Sequence, residues 1–347
     1  MNEFGKPVVA VSFDLGPEAR ERIEAVLNPV AQVVHLKDLG PGKRTEVLRE
    51  SKALLAWAPH SELSNAEQGV LGGIALMQLL SAGADHLDFA RIPAGLVVAS
   101  NVGGYARPMA EHTLAMVLAL AKRLLTHHEA LKRGIFDQFS ENKAIGGATT
   151  AILGFGGIGR EVARLLKPFG VKILAINRSG KSPEPADFLG TLENLDAVLP
   201  KADIVVITLP LTRRTRGLIA KRELELMKPD AILVNVARGE IINERALYEH
   251  LKKTPAFMAG IDAWWMEPFR HGRFELGYPF FDLPNVLGTP HNSGLVPGSL
   301  VEAVQKASLN ILRFLKGEPL EGIVRREDYQ NKNPSASGRN CFTQGEL

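Results

Sequence analysis

The chain is almost without cysteine and has few aromatic residues. One residue of 347 is cysteine, Cys341, so no internal disulfide can form and a disulfide-stapled secreted scaffold is excluded. A reducing, cytoplasmic setting is expected, with Cys341 an inert tail residue. Long apolar runs are also missing. The longest uninterrupted one is Leu114–Ala121, far short of the roughly 18 residues that span a bilayer. The opening MNEFGKPVVAVSF lacks the apolar core and small-residue cleavage site of a signal peptide. Nor is there charge of one sign in excess. Lys plus Arg number 41 and Asp plus Glu 38, which leaves +3, evenly spread, and no electrostatic footprint for nucleic acid.

What remains is an ordinary globular composition, 45% apolar and 23% charged, which excludes a disordered or collagen-like chain. The length leaves room for two domains. Glycine, at 33 residues, is above the usual share, so its placement becomes the question.

Short apolar runs alternate with helical stretches almost throughout. Val8–Phe13, Gln32–Leu36, Ala53–Ala58, Leu76–Leu80 and Leu96–Ala99 read as strands, with Glu18–Leu27 and Thr45–Glu50 as helices between them. A second series reads as strands at Ala151–Phe155, Val171–Asn177, Ile204–Leu209, Ala231–Val236, Phe257–Ile261 and Asn285–Leu287. Its helices are Arg160–Leu166, Leu192–Leu199, Ala220–Met227 and Glu244–Lys252. Strands apolar on both faces and joined by helices predict parallel sheets covered on both sides. Two longer amphipathic segments, Pro108–Arg133 and Gly298–Leu315, flank the second series and would carry the chain out of one domain and back.

The expected class is therefore α/β, with two doubly wound parallel-sheet domains. A Rossmann dinucleotide-binding domain, residues 102–292, is inserted into a flavodoxin-like substrate domain formed by 1–101 and 293–330. The polar run 331–347 is expected to be a disordered tail.

The strongest local signal follows the strand at Ala151: Gly154-Phe155-Gly156-Gly157-Ile158-Gly159, opening a helix. In Gly-x-Gly-x-x-Gly the first glycine allows the tight turn, the second lets the backbone approach a pyrophosphate, and the third lets helix pack on strand. Backbone N–H groups at the helix start would hold the phosphates. About 20 residues on, a carboxylate would accept from the adenosine ribose. Here the second strand ends Asn177-Arg178-Ser179-Gly180-Lys181, with no carboxylate. Arg178 and Ser179 suit a 2′-phosphate instead, which favours NADP over NAD as cofactor.

Three later stretches each place a polar or charged residue just past a strand's C-terminal end: Val234 to Gly239, Gly260 to Pro268 and Asn285 to Gly294. Ligands bind at that edge of open α/β sheets. At this point the sequence resembles the D-isomer-specific 2-hydroxyacid dehydrogenases. The resemblance is carried by the glycine loop, Leu209-Pro210-Leu-Thr-x-x-Thr215-x-Gly217, Ala237-Arg238-Gly239, Glu267-Pro268 and Thr289-Pro290-His291. Ala110-Glu111-His112-Thr113 and Gly83-Ala-Asp85-His-Leu-Asp88 also match, and the whole spans about residues 50–325.

The resemblance implies a catalytic trio of Arg238, Glu267 and His291. Reducing a 2-oxo acid needs a hydride on carbon and a proton on the carbonyl oxygen. His291 would be the general acid, Glu267 would orient it, and Arg238 would bind the substrate carboxylate and polarise the carbonyl. The resemblance also implies that Leu209, Pro210, Thr215, Val236 and Ala237 line the cofactor cleft. It puts Asp262 near the nicotinamide, and backbone amides at Ala82 and Gly83 against the substrate carboxylate. It further implies a homodimer packed through the larger domain, for which Leu114–Ala121 is a candidate surface, although an intramolecular core would explain that stretch equally well.

At the position where many relatives carry a basic or small polar residue, this chain has Trp57-Ala58, and an apolar wall there argues against a phosphorylated substrate. Glyoxylate and hydroxypyruvate lead as substrates. An NADH enzyme for a bulkier 2-oxo acid, or a dinucleotide-sensing scaffold on the same fold, are the alternatives. Trp264, Trp265 and the segment Phe269–Phe281 could form a lid or equally a packed core, and Tyr105 and Arg107 lie where they could reach the cleft. His127 and His128 are neighbours that cannot share a helical face, so no metal site is expected.

Overall fold

The computed structural model describes residues 5–330. Cys341 and the run 331–347 lie outside the described residues. Two parallel sheets organise the chain. The first holds β1 (Val8–Val11), β2 (Gln32–His35), β3 (Ser51–Ala56), β4 (Leu76–Leu79) and β5 (Val97–Ala99), in the order β2-β1-β3-β4-β5. The second holds β6 (Thr149–Leu153), β7 (Lys172–Ile176), β8 (Phe188–Gly190), β9 (Ile204–Ile207), β10 (Ile232–Asn235), β11 (Met258–Ile261) and β12 (Val286–Gly288), in the order β12-β11-β10-β9-β6-β7-β8. The α/β class and the pair of doubly wound sheets are as expected.

The apolar runs explain the layering. Every residue of β1 and β9 is buried. Because side chains alternate along a strand, Ile204 and Val206 enter one core cluster and Val205 and Ile207 the opposite one. In β1, Val8 and Ala10 likewise face away from Val9 and Val11. Each sheet thus needs helices on both faces. The helix Pro17–Leu27 buries Ala19, Ile23 and Leu27 at four-residue spacing. They meet Ala303, Val304, Ala307 and Ile311 of the helix Ser299–Leu315, which returns to the first sheet after the second is complete. Burying each Val, Leu or Ile contributes about 1.5–3 kcal/mol before chain entropy is offset.

Three expectations need correction. The segment 108–133 is not one helix but two, Ala106–Ala121 and Leu124–Lys132. Arg123 sits between them in the left-handed region at φ 48°. The backbone N–H of Lys143 takes the carbonyl of Ala121 at 2.9 Å, so the returning chain competes with the next helical turn. The region Leu192–Leu199 breaks into one-turn pieces ending at Leu199–Lys201, where Pro200 supplies no donor. The edge strand β8 was not expected, because three residues with exposed Phe188 carry no periodicity. Among the described residues no helix is long and apolar enough to cross a membrane.

In each sheet, connections leave adjacent strands in opposite directions, at β1/β3 and at β6/β9. Crevices open there at the carboxyl ends of the strands.

Candidate active site

One large cleft of about 1130 Å³ is lined from both units. The first sheet's unit supplies Trp57, Ala82, Gly83, Asp85 and His86, and the second supplies Gly156, Arg238, Glu267 and His291.

His291 is held in place by its backbone and by a carboxylate. Its φ of 52° is left-handed, a conformation that costs an L-residue about 1–2 kcal/mol. Nδ1 lies 2.7 Å from Oε2 of Glu267, which leaves Nε2 as the free ring nitrogen on the cleft side. The other carboxylate oxygen, Oε1, accepts the backbone N–H of Trp264 at 2.6 Å. Burial pushes the Glu267 carboxyl up, but the His291 hydrogen bond and charge and the Trp264 N–H together hold it below the usual range. Glu267 is thus an anionic acceptor that favours an N–H at Nδ1.

The loop carrying His291 is braced from behind. Asp262 is fully buried. Its Oδ1 accepts the Thr289 hydroxyl at 2.6 Å and the Asn292 N–H at 3.2 Å, and its Oδ2 accepts the Ser293 N–H at 3.3 Å. His112 Nε2 lies 3.1 Å from the Thr289 hydroxyl. Asp262 does not line the cleft; it fixes the turn on which His291 stands.

Arg238 leaves the end of β10 toward the first sheet's unit. Its Nε donates to Oδ2 of Asp85 at 3.1 Å and its Nη1 to the carbonyl of Ala237 at 2.7 Å. Burial pushes the Asp85 carboxyl up, and the charge and hydrogen bond of Arg238 together with the charge of Arg270 more than reverse this, holding it below its ordinary value. Arg270 also pairs with Glu240 at 2.8 Å. Gly239 passes so close to Trp264 that a Cβ would lie 2.3 Å from the Trp264 carbonyl carbon. Beside Asp85, His86 is pushed down to about 4 by burial, so it is neutral near pH 7.

The glycine loop has the shape needed for a phosphate cradle. Gly154 has φ 113°, and a Cβ there would lie 2.5 Å from the Thr208 carbonyl carbon. A Cβ on Gly159 would lie 2.3 Å from the Gly154 carbonyl oxygen. At Gly156 a Cβ would meet nothing within 4 Å of protein, and Gly156, Gly157 and Ile158 line the cleft. No side chain caps the helix Gly157–Leu166, so its first N–H groups are free for an anion. These features fit a dinucleotide pyrophosphate. Phe155 is buried in the core beneath the loop.

Leu209, Pro210, Val236 and Ala237 line the cleft, and so does Arg178. Thr215, Asn177 and Ser179 do not. Thr215 donates to the Pro210 carbonyl at 2.7 Å and accepts the Thr212 N–H at 2.8 Å, shaping the loop after β9. The Asn177 side-chain oxygen accepts the N–H groups of Ser179 and Gly180 and so shapes the turn after β7.

The wall of the cleft formed by the first sheet's unit contains Trp57, and Tyr105 joins the lining. Glu62 pins Trp57 by accepting the N–H groups of Trp57 at 3.1 Å and Ala58 at 2.7 Å. Arg107 stays outside, exposed and paired with Glu111. The aromatic segment divides its roles. Trp264, Phe269, Phe274 and Phe281 line the cleft, whereas Phe280 is buried and stacks on Trp265 at 5.4 Å. Among the described residues, no group of three or more His, Cys, Asp or Glu is placed to hold a metal ion.

The profile described as "D-isomer specific 2-hydroxyacid dehydrogenase, NAD binding domain" matches residues 114–293, just over half of the chain. The chain belongs to the D-isomer-specific 2-hydroxyacid dehydrogenases. It is a nicotinamide-dinucleotide-dependent enzyme of that family. It is 28% identical over 326 residues to the glyoxylate reductase of Thermococcus gammatolerans, covering 85% of this chain and 96% of that one. It is 32% identical over 255 residues to the D-3-phosphoglycerate dehydrogenase of Methanocaldococcus jannaschii, covering 70% of this chain and 46% of that one. A solved D-isomer-specific 2-hydroxyacid dehydrogenase from Xanthobacter autotrophicus Py2, in complex with NADPH and MES, superposes with a TM-score of 0.78 at 26% identity. That match covers 94% of this chain and all of the other.

Three residues of this dehydrogenase's cleft carried no readable chemical signal in the sequence. Asp85 was visible only as part of a motif, and its pairing with Arg238 joins positions 153 residues apart. His86 adjoins it in the same motif. Asp328, which pairs with Arg178, lies in a stretch with no motif at all.

Proposed function

We propose that this dehydrogenase reduces a small 2-oxo acid to the D-2-hydroxy acid, with Arg238, Glu267 and His291 as its working side chains. The observation that carries the reading is the His291–Glu267 pair at 2.7 Å, facing the same cleft as Arg238 and the open glycine loop. A dihydronicotinamide, when held by the glycine loop, would supply the hydride that the carbonyl carbon needs. His291 donates its Nε2 proton to the carbonyl oxygen as the C–O bond gains charge, and Glu267 stabilises the imidazolium beforehand. Arg238 binds the carboxylate and polarises the carbonyl, and the Ala82–Gly83 backbone borders the same region. The balance is a 2-oxo acid, the reduced dinucleotide and a proton giving a 2-hydroxy acid and the oxidised dinucleotide.

The cofactor is held by the Gly154–Gly159 loop and the helix start behind it, with Leu209, Pro210, Val236 and Ala237 along its length. Arg178, which lines the cleft, favours NADPH. The substrate candidates are glyoxylate and hydroxypyruvate. The apolar and aromatic walls at Trp57, Phe269 and Phe281 favour a second reading, a 2-oxo acid with a larger side chain.

The proposed division is 1–101 with 293–330, and 102–292; packing of the helix Ser299–Leu315 in the first sheet's core supports it. A cytoplasmic homodimer completes the proposal. The surface Leu114–Ala121 is not its interface, because Met116, Val117, Leu120 and Ala121 are buried in the chain's own core. The exposed patch of Leu124, Leu125, Leu131, Ile135, Phe136 and Phe139 takes that role.

The deciding experiment is oxidation of NADPH and NADH against a panel of 2-oxo acids. Turnover of at least one, lost on His291→Ala, is expected. Folded protein that binds a dinucleotide but turns over none of the acids would point to a sensing role instead.

A further inference from the structure

The last described residues form a strap between the two units. Arg326 donates to the carbonyls of Ile92 at 2.8 Å and Leu96 at 3.0 Å, Tyr329 stacks on Phe89 at 5.0 Å, and Gln330 Nε2 donates to the Phe89 carbonyl at 2.8 Å. These contacts anchor the strap on the first sheet's unit. Between the anchors, Asp328 turns the other way. Its carbonyl accepts the Arg213 N–H at 2.9 Å, and its carboxylate forms an ion pair with Arg178. The Asp328 side chain is 14% exposed and that of Arg178 is 45% exposed, and both line the cleft.

The turn after β7 contains no carboxylate of its own, but the fold brings one there from 150 residues later. A carboxylate touching a guanidinium cancels much of the charge that would draw in a dianion, and it repels that dianion at close range. Toward a sugar hydroxyl it does the opposite, since it accepts the O–H.

We propose that Asp328 is a specificity-determining residue. It holds Arg178 from the facing unit, so a 2′-phosphate reaches Arg178 only by displacing Asp328, whereas a cofactor with a free ribose hydroxyl does not have to. The inference rests on the cofactor reading above and adds a counterweight to it. Arg178 sets the affinity for the 2′-phosphate, and Asp328 limits how far that preference goes. The strap is tied down by Arg326, Tyr329 and Gln330, so exchanging the carboxylate alone leaves it in place.

The test uses the full chain and measures dissociation constants and KM for NADPH and NADH, in wild type, Asp328→Asn, Arg178→Ala and the double variant. Asp328→Asn is expected to lower the NADPH constant about tenfold while leaving the NADH constant unchanged or raised. Arg178→Ala is expected to raise the NADPH constant about tenfold or more, and in that background Asp328→Asn no longer favours NADPH. The two dinucleotides moving by the same factor, as a merely structural strap would produce, overturns the inference, and so does neither moving. Wild-type protein that binds neither dinucleotide overturns the cofactor reading itself, and the inference with it.

Discussion

Gly83 stands against the guanidinium of Arg238: a Cβ at position 83 would lie 2.8 Å from Nη2 of Arg238 and 2.7 Å from Oδ1 of Asp85. Both atoms are ends of side chains, so Gly83→Ala is accommodated by moving them rather than the backbone. The expected outcome is a variant that melts within a few degrees of wild type but loses about 10²-fold in kcat/KM, because a displacement near 1 Å is costly for a group that positions substrate. Thermal melts and steady-state kinetics read the two effects separately. A variant with full activity would remove Arg238 from the reaction as described.

His291 combines a strained backbone with a useful side chain. Replacing it by alanine keeps the left-handed φ and removes the imidazole, so kcat should fall by about 10²–10⁴-fold with the dinucleotide constant unchanged. Replacing it by glycine also relieves the strain. His291→Gly is therefore expected to be more stable than His291→Ala by about 1 kcal/mol in denaturant unfolding, although both are inactive.

Stability should fall in acid in two stages. Asp85 and Glu267 titrate below their ordinary values of 3.8 and 4.5, so the unfolded chain binds protons more readily there than the folded one. The stability they add is fully present above pH about 5 and is lost as pH falls through the depressed values. Burial pushes His86 down from 6.5 to about 4, so its contribution declines earlier, as pH drops through 6.5 toward 4. Melting temperature against pH should show both slopes. His86→Asn should flatten the first, and Asp85→Asn part of the second.

Asp262 separates two roles by a simple exchange. As the acceptor that braces the 289–293 turn, it cannot be replaced by asparagine without setting an NH₂ group against backbone or hydroxyl donors, at a cost of about 1–3 kcal/mol. Asp262→Asn should lower stability and kcat while moving the dinucleotide constant less than about twofold. A tenfold loss of dinucleotide affinity with kcat intact would instead make Asp262 a cofactor contact.

The apolar patch after Ala121 predicts an assembly. Phe136 and Phe139 are 77% and 84% exposed, and Leu124, Leu125, Leu131 and Ile135 surround them in sequence. Phe136→Asp with Phe139→Asp should convert a dimer to a monomer in sedimentation, with little change in melting of the monomeric unit. Wild-type protein already monomeric at micromolar concentration would leave the patch without a partner copy.

Much of this protein was legible before its fold. Strands buried on both faces announce themselves as short apolar runs, and the alternation of Ile204, Val205, Val206 and Ile207 between two cores follows from the pleat. The glycine loop is equally local, since its spacing reflects contacts within one strand–turn–helix unit. Arg238, Glu267 and His291 were identifiable as motif residues at strand ends, a resemblance reinforced by their place at the carboxyl edge of a parallel sheet.

Other features depended on partners that no local pattern specifies. Arg123 ends a helix because Lys143 takes the Ala121 carbonyl, which propensity over ten residues does not encode. The left-handed φ of His291 lies in a turn anchored at Asp262, which follows the neighbouring strand β11. Asp85 reaches Arg238, and Asp328 reaches Arg178, only because the chain returns to its first sheet after building its second. The sequence by itself determined most of the segments that are strands, where the glycine loop sits and which side chains are candidates for the chemistry, because those signals are short-range and periodic. Tertiary structure alone decided which charges face one another across the cleft, because an ion pair between distant residues leaves no trace in the spacing of either.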